Sequence, residues 1–323
     1  MKTVIVKGGA GMGNRMLCAA SGILWAKAAK RKVYIDWRDQ AYSSNEENSF
    51  FHFFENSQIL KEAPVCTSNI FPKVWKGNQN YSISKMIGTY DPKKFGSLLI
   101  HKKYSINPKN IYYPEDIVVF WHYIGFFEKI KAIVRNTLPE FSKMSLEVMM
   151  RKVIVEEMKL LPKIQYLIDN YKKQNFQENM IGVHIRYTDR KINLIKIENA
   201  IKKVLNKNKE AMLFLCTDCK DIENTYRRKY GERVFFTEKW FPATDSKRSA
   251  LHYNNCPDRV QNGVEALIDM YLLSQCNYII YSENSTFSYI SRVISDLPND
   301  KVINIDKFDI KFILKKYIRK LTT

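Results

Sequence analysis

One segment near the middle of the chain carries side chains suited to binding an anion. Residues 180–191 read Met-Ile-Gly-Val-His-Ile-Arg-Tyr-Thr-Asp-Arg-Lys, an apolar run that ends where charged residues crowd together. Side chains alternate along a strand, so His184 and Arg186 lie on the same face. Ligands of open α/β sheets bind beyond the carboxyl ends of the strands. The pattern predicts an anion site at a strand end; a solvated turn with incidental charges is the alternative.

Three further polar positions belong to the same edge of a predicted sheet. Asp218 comes just past a strand, and Ser285 and Thr286 follow another strand and open a helix. Hydroxyls and free N–H groups at a helix N-terminus bind phosphate, although serine is also a common N-cap. Asp269 lies in an apolar helix, where a carboxylate needs either a structural hydrogen bond or a ligand. Together these positions predict one polar rim.

A glycine-rich loop follows the first predicted strand. It reads Gly-Gly-Ala-Gly-Met-Gly-Asn-Arg over residues 8–15 and includes Gly11, Gly13 and Asn14. Such a loop lets the backbone approach a ligand closely at a helix N-terminus. A dinucleotide site with Asp36 as the ribose acceptor is one interpretation. However, the spacing is GxGxG followed by Asn rather than GxGxxG, and no Gly-Lys-Ser/Thr follows as in a P-loop.

Hydrophobic periodicity predicts an α/β fold built from two blocks. The first has strands at 2–7, 32–36 and 117–121, and helices at 15–31 (capped by Asn14), 126–138 and 145–173 with a break at Pro162. The second alternates strands at 180–186, 211–216, 233–237 and 277–281 with helices near 195–207, 219–230, 260–275 and 285–295. This alternation predicts two Rossmann-like domains facing a cleft, at 1–170 and 175–305, while 40–115 is irregular.

Composition and charge limit the classes of protein. The chain has 323 residues and a formal net charge of +19, which suggests an anionic partner or a solvated lysine-rich surface. A basic nucleic-acid-binding protein is one alternative, but no nucleic-acid motif occurs. The chain shows neither a signal peptide nor an apolar run of membrane-spanning length, so we expect a cytoplasmic protein with reduced cysteines.

The last segment, 306–323, is predicted to carry a basic amphipathic helix over 306–321. Its apolar face holds Ile310, Ile313, Leu314, Tyr317 and Leu321, and lysines and arginines occupy the other face. Such a helix suits either peripheral binding to the inner face of a membrane or packing against the protein.

No metal site is predicted. The pair Cys216 and Cys219 lacks a second pair or nearby histidines, and no Asp-x-Asp pair or HExxH motif occurs. A diphosphate leaving group would then be neutralised by arginine, lysine and helix N-termini, with Arg186 as the first candidate.

Four motifs in order resemble the GDP-fucose-dependent fucosyltransferases, a superfamily with α-1,6 nodulation and core enzymes, bacterial α-1,2 enzymes and protein O-fucosyltransferases. They are the glycine loop, the segment His184-Ile-Arg-Tyr-Thr-Asp, the segment Phe214-Leu-Cys-Thr-Asp and residues 267–288. The likeness covers about 1–36 and 180–295. It implies a GT-B fold and metal-independent, inverting transfer of fucose from GDP-fucose to a glycan or lipid-linked oligosaccharide.

The resemblance also implies roles for individual residues. Arg186 would bind the β-phosphate as the catalytic group, and His184 and Asp269 would contact the guanine and ribose. The remaining donor-binding set is Ser285, Thr286, Asp218, Arg190, Gly11, Gly13 and Asn14, of which Asn14 would face the reacting sugar.

Some positions depart from the α-1,6 enzymes. Arg190 and Leu194 stand where those enzymes carry an acid/base Lys and Glu, and Tyr187 stands where many members have a second Arg. The general base, the linkage and the acceptor are therefore open, and another GDP-sugar is an alternative to GDP-fucose. An NAD-dependent oxidoreductase using the glycine loop is the competing enzyme class.

Overall fold

The computed structural model describes residues 2–45, 47–88, 97–122, 127–242, 251–310, 312–314 and 317. The chain forms two compact units, Met1–Leu161 and Pro162–Lys315. Each unit is built on a parallel β-sheet with flanking helices. The helix at Pro162–Asn175 belongs to the second unit, whereas the predicted domain boundary falls at 170–175.

The first unit opens with a β-α-β arrangement. Buried apolar side chains form β1 (Thr3–Lys7), and β2 (Lys32–Asp36) pairs with it in parallel. Between them α1 spans Met12–Ala28, with Gly11 as its N-cap. The predicted start at residue 15 with Asn14 as the cap is therefore wrong. Gly11 takes the extended conformation of an N-cap, so the helix starts three residues earlier and Asn14 lies in its first turn.

The other elements of the first unit complete the sheet and cover it. The strands are β3 (Phe54–Glu55), β4 (Ile70–Phe71), β5 (Ile117–Phe120) and β6 (Lys159–Leu160), and the helices are α2 (Ile83–Ile87), α3 (Leu98–Tyr104), α4 (Phe127–Thr137) and α5 (Leu146–Glu157). The strand order is β2-β1-β5-β4, while β3 and β6 form an antiparallel pair. The helical stretch predicted at 145–173 forms two helices, and the predicted break at Pro162 is confirmed because the second helix begins there.

Aromatic packing explains why the irregular region of the first unit is ordered. Trp37, Phe50, Phe53 and Phe54 are almost fully buried, and the ring of Trp37 meets those of Phe50 and Phe54 edge to face. Buried aromatic rings contribute large apolar areas, so this cluster forms a core without regular periodicity.

The second unit is a five-stranded Rossmann-like sheet. It contains α6 (Pro162–Asn175), β7 (Met180–Ile185), α7 (Leu194–Lys207), β8 (Met212–Thr217), α8 (Lys220–Tyr230), β9 (Val234–Phe235), α9 (Arg259–Ser274), β10 (Tyr278–Tyr281), α10 (Thr286–Ile294) and β11 (Val302–Asn304). All neighbours pair in parallel, in the order β11-β10-β7-β8-β9. Chain order reverses at the β7–β10 pair, where such sheets bind ligands.

The C-terminal segment departs from its predicted helix. Residues 305–308 form a turn that follows β11, a strand absent from the prediction. Asp309 accepts a hydrogen bond from the backbone N–H of Phe312 at 3.2 Å, and residue 310 is the first helical one. Ile310, Ile313, Leu314 and Tyr317 are exposed, whereas 311, 315, 316 and 318–321 lie outside the described residues. Within the described ranges, no helix has the length and apolar character needed to cross a bilayer.

Candidate functional site

His184 lies at the end of β7 with its ring buried. The ring stacks on that of Phe287 in α10, with centroids 4.8 Å apart and an interplanar angle of 18°. Its Nδ1 atom is buried without a hydrogen-bond partner in the described structure. Burial, followed by the charges of Arg186 and Lys239, lowers the pKa of His184 to about 3. The imidazole is therefore uncharged at neutral pH.

Arg186 follows β7 and is oriented by a carboxylate of the same turn. Its Nε donates to Oδ1 of Asp189 at 2.8 Å, and Nη2 lies 2.8 Å from the same oxygen. Burial by itself raises the pKa of Asp189, but the hydrogen bond and charge of Arg186 outweigh it, so the pKa lies below its usual value. Asp189 thus remains ionised and fixes the guanidinium.

Asp218 holds the turn after β7 from the neighbouring strand. Its Oδ1 accepts from the backbone N–H of Tyr187 at 2.6 Å, and its Oδ2 accepts from the hydroxyl of Thr188 at 2.5 Å. Both carboxylate oxygens thus stabilise the backbone that presents Arg186.

Asp269 has the partner that a buried carboxylate requires. The ammonium of Lys239 and the hydroxyl of Thr237 donate to its two oxygens, and all three groups are buried. Burial by itself lowers the pKa of Lys239, but the adjacent Asp269 carboxylate more than offsets this and raises it. The pair is therefore ionic.

The turn after β10 joins the same edge. Ser285 is the N-cap residue of α10 but makes no side-chain capping bond, so its hydroxyl does not serve the cap. Asp306, beyond β11, accepts from the hydroxyl of Ser282 at 2.6 Å and from the N–H of Asn284 at 3.1 Å. Arg190 Nη1 donates to the carbonyl of Asn284 at 3.2 Å, which links the turns on either side of the reversal point.

The glycine loop lies at the carboxyl end of β1 in the first unit. Ala10 adopts a left-handed conformation (φ 60°), and its carbonyl accepts from Nε of the buried Arg15 at 2.9 Å. Arg15 also pairs with Asp39. A Cβ at Gly8 would lie 2.8 Å from Cγ of Trp37, so this glycine serves close packing.

Asp36 is already engaged within the protein. Its Oδ2 accepts from Nζ of Lys7 at 2.6 Å, and its Oδ1 accepts from the backbone N–H and Nε of Arg38 at 3.1 and 2.9 Å. Asp36 is therefore an ion-pair partner of Lys7 and Arg38 within the first unit.

The structure gathers most sequence-predicted residues at one edge. His184, Arg186, Arg190, Asp218, Ser285 and Thr286 lie at or beyond strand ends of the second unit, and Asp269 packs over β8. Gly11, Gly13 and Asn14 belong to the first unit. Sequence reasoning missed Thr237, Lys239, Phe287 and Asp306. Thr237 and Lys239 follow the end of β9, so the strand-end argument used for Asp218 identifies them as well.

Metal-binding residues do not cluster in the described ranges. No group of three or more His, Cys, Asp or Glu side chains there has the arrangement of a metal site. The six cysteines are free thiols; Cys66 is exposed, Cys219 is partly buried and the other four are buried.

Part of this sequence is similar to that of a known family. The model of the family named nodulation protein Z (NodZ) matches residues 146–316. Nodulation protein Z of Bradyrhizobium diazoefficiens is 28% identical over an alignment of 173 residues, and the match covers 48% of this chain and 44% of that protein. The match thus spans less than half of the curated relative's length.

Solved structures extend the likeness over nearly the whole chain. The crystal structure of NodZ α-1,6-fucosyltransferase soaked with GDP-fucose has a TM-score of 0.60 at 22% identity and covers 96% of each chain. Arabidopsis thaliana FUT1, solved as a variant in complex with GDP, has a TM-score of 0.55 at 13% identity and covers 93% of this chain and 72% of that one. The predicted fold class, α/β of GT-B type, is confirmed. Because the family model matches more than half of its residues, this chain belongs to the NodZ family.

Proposed function

We propose that this NodZ-family protein is an inverting, metal-independent glycosyltransferase that transfers fucose from GDP-fucose to a glycan or lipid-linked oligosaccharide. The main support for this proposal is the carboxyl edge of the second unit's sheet, at the point where the strand order reverses. This edge holds an uncharged His184 with an unpartnered Nδ1, an Arg186 fixed by Asp189, and the start of α10. Solved relatives of the same fold were studied with GDP-fucose or GDP, which supports a guanine nucleotide as the donor.

Arg186 performs the central electrostatic step in this proposal. An acceptor hydroxyl attacks the anomeric carbon of fucose while the bond from that carbon to the β-phosphate oxygen breaks, and the electron pair leaves with GDP. Negative charge on the phosphate therefore grows in the transition state. A guanidinium fork binds two oxygens at once, so its interaction strengthens as that charge develops.

The other residues bind and orient the donor. Ser285 and Thr286 offer hydroxyls and N–H groups to the diphosphate at the start of α10, with Arg190 on the facing turn. His184 and Asp269 contact the guanine base and the ribose of the donor. Asp218 lines the same pocket and also stabilises the turn after β7.

The glycine loop completes the proposed donor set. Gly11, Gly13 and Asn14 contact the donor, and Asn14 meets the reacting sugar.

Leu194, the first residue of α7, carries no ionisable group, so the proton of the acceptor leaves through another base.

The proposed glycan or lipid-linked acceptor suggests where in the cell the enzyme works. We propose a cytoplasmic enzyme that meets its acceptor at the inner face of a membrane through residues 306–321. The exposed Phe308, Ile310, Ile313 and Leu314, next to lysines in sequence, support peripheral contact with anionic lipid.

A thermal-shift panel with GDP, UDP, CMP, NAD and single-stranded DNA tests the donor class. A ligand at about 100 times its Kd adds about 2.7 kcal/mol to the free energy of unfolding, so GDP should raise the Tm and UDP should not. Stabilisation by NAD with no response to GDP would support the alternative of an NAD-dependent oxidoreductase. A response to DNA alone would support the alternative of a nucleic-acid-binding protein. Transfer from GDP-fucose but not GDP-mannose identifies the sugar.

A further inference from the structure

The segment that follows β9 is hydrogen-bonded to one face of α9. Thr237 and Lys239 donate to the Asp269 carboxylate, and the backbone N–H of Trp240 donates to Oε2 of Glu265 at 3.0 Å. Glu265 and Asp269 are four residues apart on α9 and therefore share a helix face. The side chains of Lys239 and Asp269 are 4% and 6% exposed. The segment is thus held by a buried ion pair rather than by surface contacts.

Cys216 links the helix residue of this ion pair to the strand pair that carries His184. The register of β7 and β8 places His184 opposite Cys216, and the thiol of Cys216 donates to the backbone carbonyl of Asp269 at 3.5 Å. The charge of Lys239 acts on the His184 ring. Lys239, Asp269, Cys216 and His184 therefore form one contiguous buried group at the edge where the donor is proposed to bind.

A purely structural role explains this arrangement poorly. Two charges lose their hydration on burial, and a packed apolar pair of similar volume is often as stable or more stable. Here the ion pair adjoins an imidazole that is 5% exposed and whose Nδ1 has no partner in the described structure. A polar atom kept buried and unpaired in a binding region indicates a place for a ligand.

We propose that Lys239 is a positioning residue of the donor pocket. Its ammonium group holds the Asp269 carboxylate in place and so fixes the polar groups that bind the base of the nucleoside diphosphate. This inference rests on the proposed function. The charge of Lys239 also helps to lower the pKa of His184, after burial and the charge of Arg186. In the described structure, the charges of Arg186 after β7 and Lys239 after β9 act on the ring, and Cys216 lies opposite it on β8. Asp269 on α9 pairs with Lys239, and its charge acts in turn on Tyr171 of α6.

The test combines calorimetric titration with GDP and NMR titration of the His184 ring from pH 5 to 8. Lys239→Met removes the charge at similar length and leaves the Asp269 carboxylate with the Thr237 hydroxyl but without its cationic partner. We expect GDP affinity to fall by about tenfold or more. We also expect the ring resonances of His184 to shift because a nearby charge is lost, while the ring itself stays uncharged across this range because its burial is unchanged. Lys229→Met is the matched control, because Lys229 pairs with Glu198 at a half-exposed site and should leave both readouts unchanged.

The double variant Lys239→Met/Asp269→Asn covers the case in which the single variant does not fold. It buries no charge at either position, so we expect His184 to stay uncharged above pH 5 and GDP affinity to remain reduced by about tenfold. Wild-type GDP affinity in a folded variant, or weaker binding with unchanged His184 ring resonances in Lys239→Met, would overturn the proposal. Wild-type protein that does not bind GDP, while Lys239→Met still shifts the His184 ring resonances, would instead reject the proposed function.

Discussion

The ring of His184 lies nearly parallel to the ring of Phe287, with their centroids 4.8 Å apart. This contact joins the end of β7 to the first turn of α10 across the point where the strand order reverses. His184, whose Nδ1 is buried and unpartnered, thus packs against the helix whose N-terminus faces the proposed diphosphate.

Arg186→Ala should reduce turnover by about 10²–10³-fold, because it removes a group whose interaction grows with the charge on the leaving phosphate. Arg186→Lys should recover only part of this loss, since lysine keeps the charge without the bidentate fork. Kinetics at saturating GDP-fucose measure the effect, with the exposed Arg228→Ala as control. A folded Arg186→Ala enzyme with near wild-type turnover would move the phosphate role to Arg190 or Lys191.

Acid should destabilise the protein through His184. Burial, followed by the charges of Arg186 and Lys239, lowers its pKa in the folded state from 6.5 to about 3. The unfolded chain therefore binds an extra proton between these values. The free energy of unfolding should fall by up to about 1.4 kcal/mol per pH unit as the pH drops below 6.5. Urea unfolding of His184→Gln should lack this contribution, whereas His52→Gln should retain it.

Transfer should persist in excess EDTA, because the proposed mechanism neutralises the leaving group with arginine and a helix N-terminus. Initial rates with and without chelator, followed by addition of Mg²⁺ or Mn²⁺, measure this. Complete loss on chelation and full recovery with either ion would contradict the proposal. Partial stimulation by the ions would not, since they also screen a charged acceptor.

Removing the exposed apolar residues of the C-terminal segment should weaken membrane binding without changing GDP affinity. Phe308→Ser/Leu314→Ser alters two side chains that are 84% and 55% exposed, so the fold should tolerate it. Cosedimentation with anionic and neutral vesicles measures binding, and Tyr166→Ser is an exposed control. Unchanged binding to anionic vesicles would exclude this segment as the contact.

Breaking the Arg15–Asp39 pair should destabilise the first unit, because both side chains are buried and Arg15 also supports the Ala10 carbonyl. Arg15→Met leaves an uncompensated carboxylate and should cost about 3–5 kcal/mol. Denaturant titration measures the loss, and Arg15→Met/Asp39→Asn should recover part of it. Equal stability of Arg15→Met and wild type would refute this role.

The second unit could be predicted from sequence because its strands and helices alternate with clear periodicity. Strand-end reasoning then placed Arg186, Asp218 and Ser285 at a common edge. The aromatic region around Trp37 and Phe50 has no period, since its core forms from loops and short helices. The strand-end argument points to Lys239 as a residue of this edge, but it does not identify Lys239 as the partner of Asp269. That pairing depends on tertiary packing that brings Lys239 from a loop to a helix separated from it by 30 residues.

The buried pairing of Lys239 with Asp269 constrains how this protein can diverge. A change at either position alone leaves a charge stranded in the interior, so a lineage that alters one should soon alter the other. We expect descendants to carry both charges or neither. Intermediates with a single charge should survive only where a second substitution, or a tightly bound nucleotide, compensates for the lost stability.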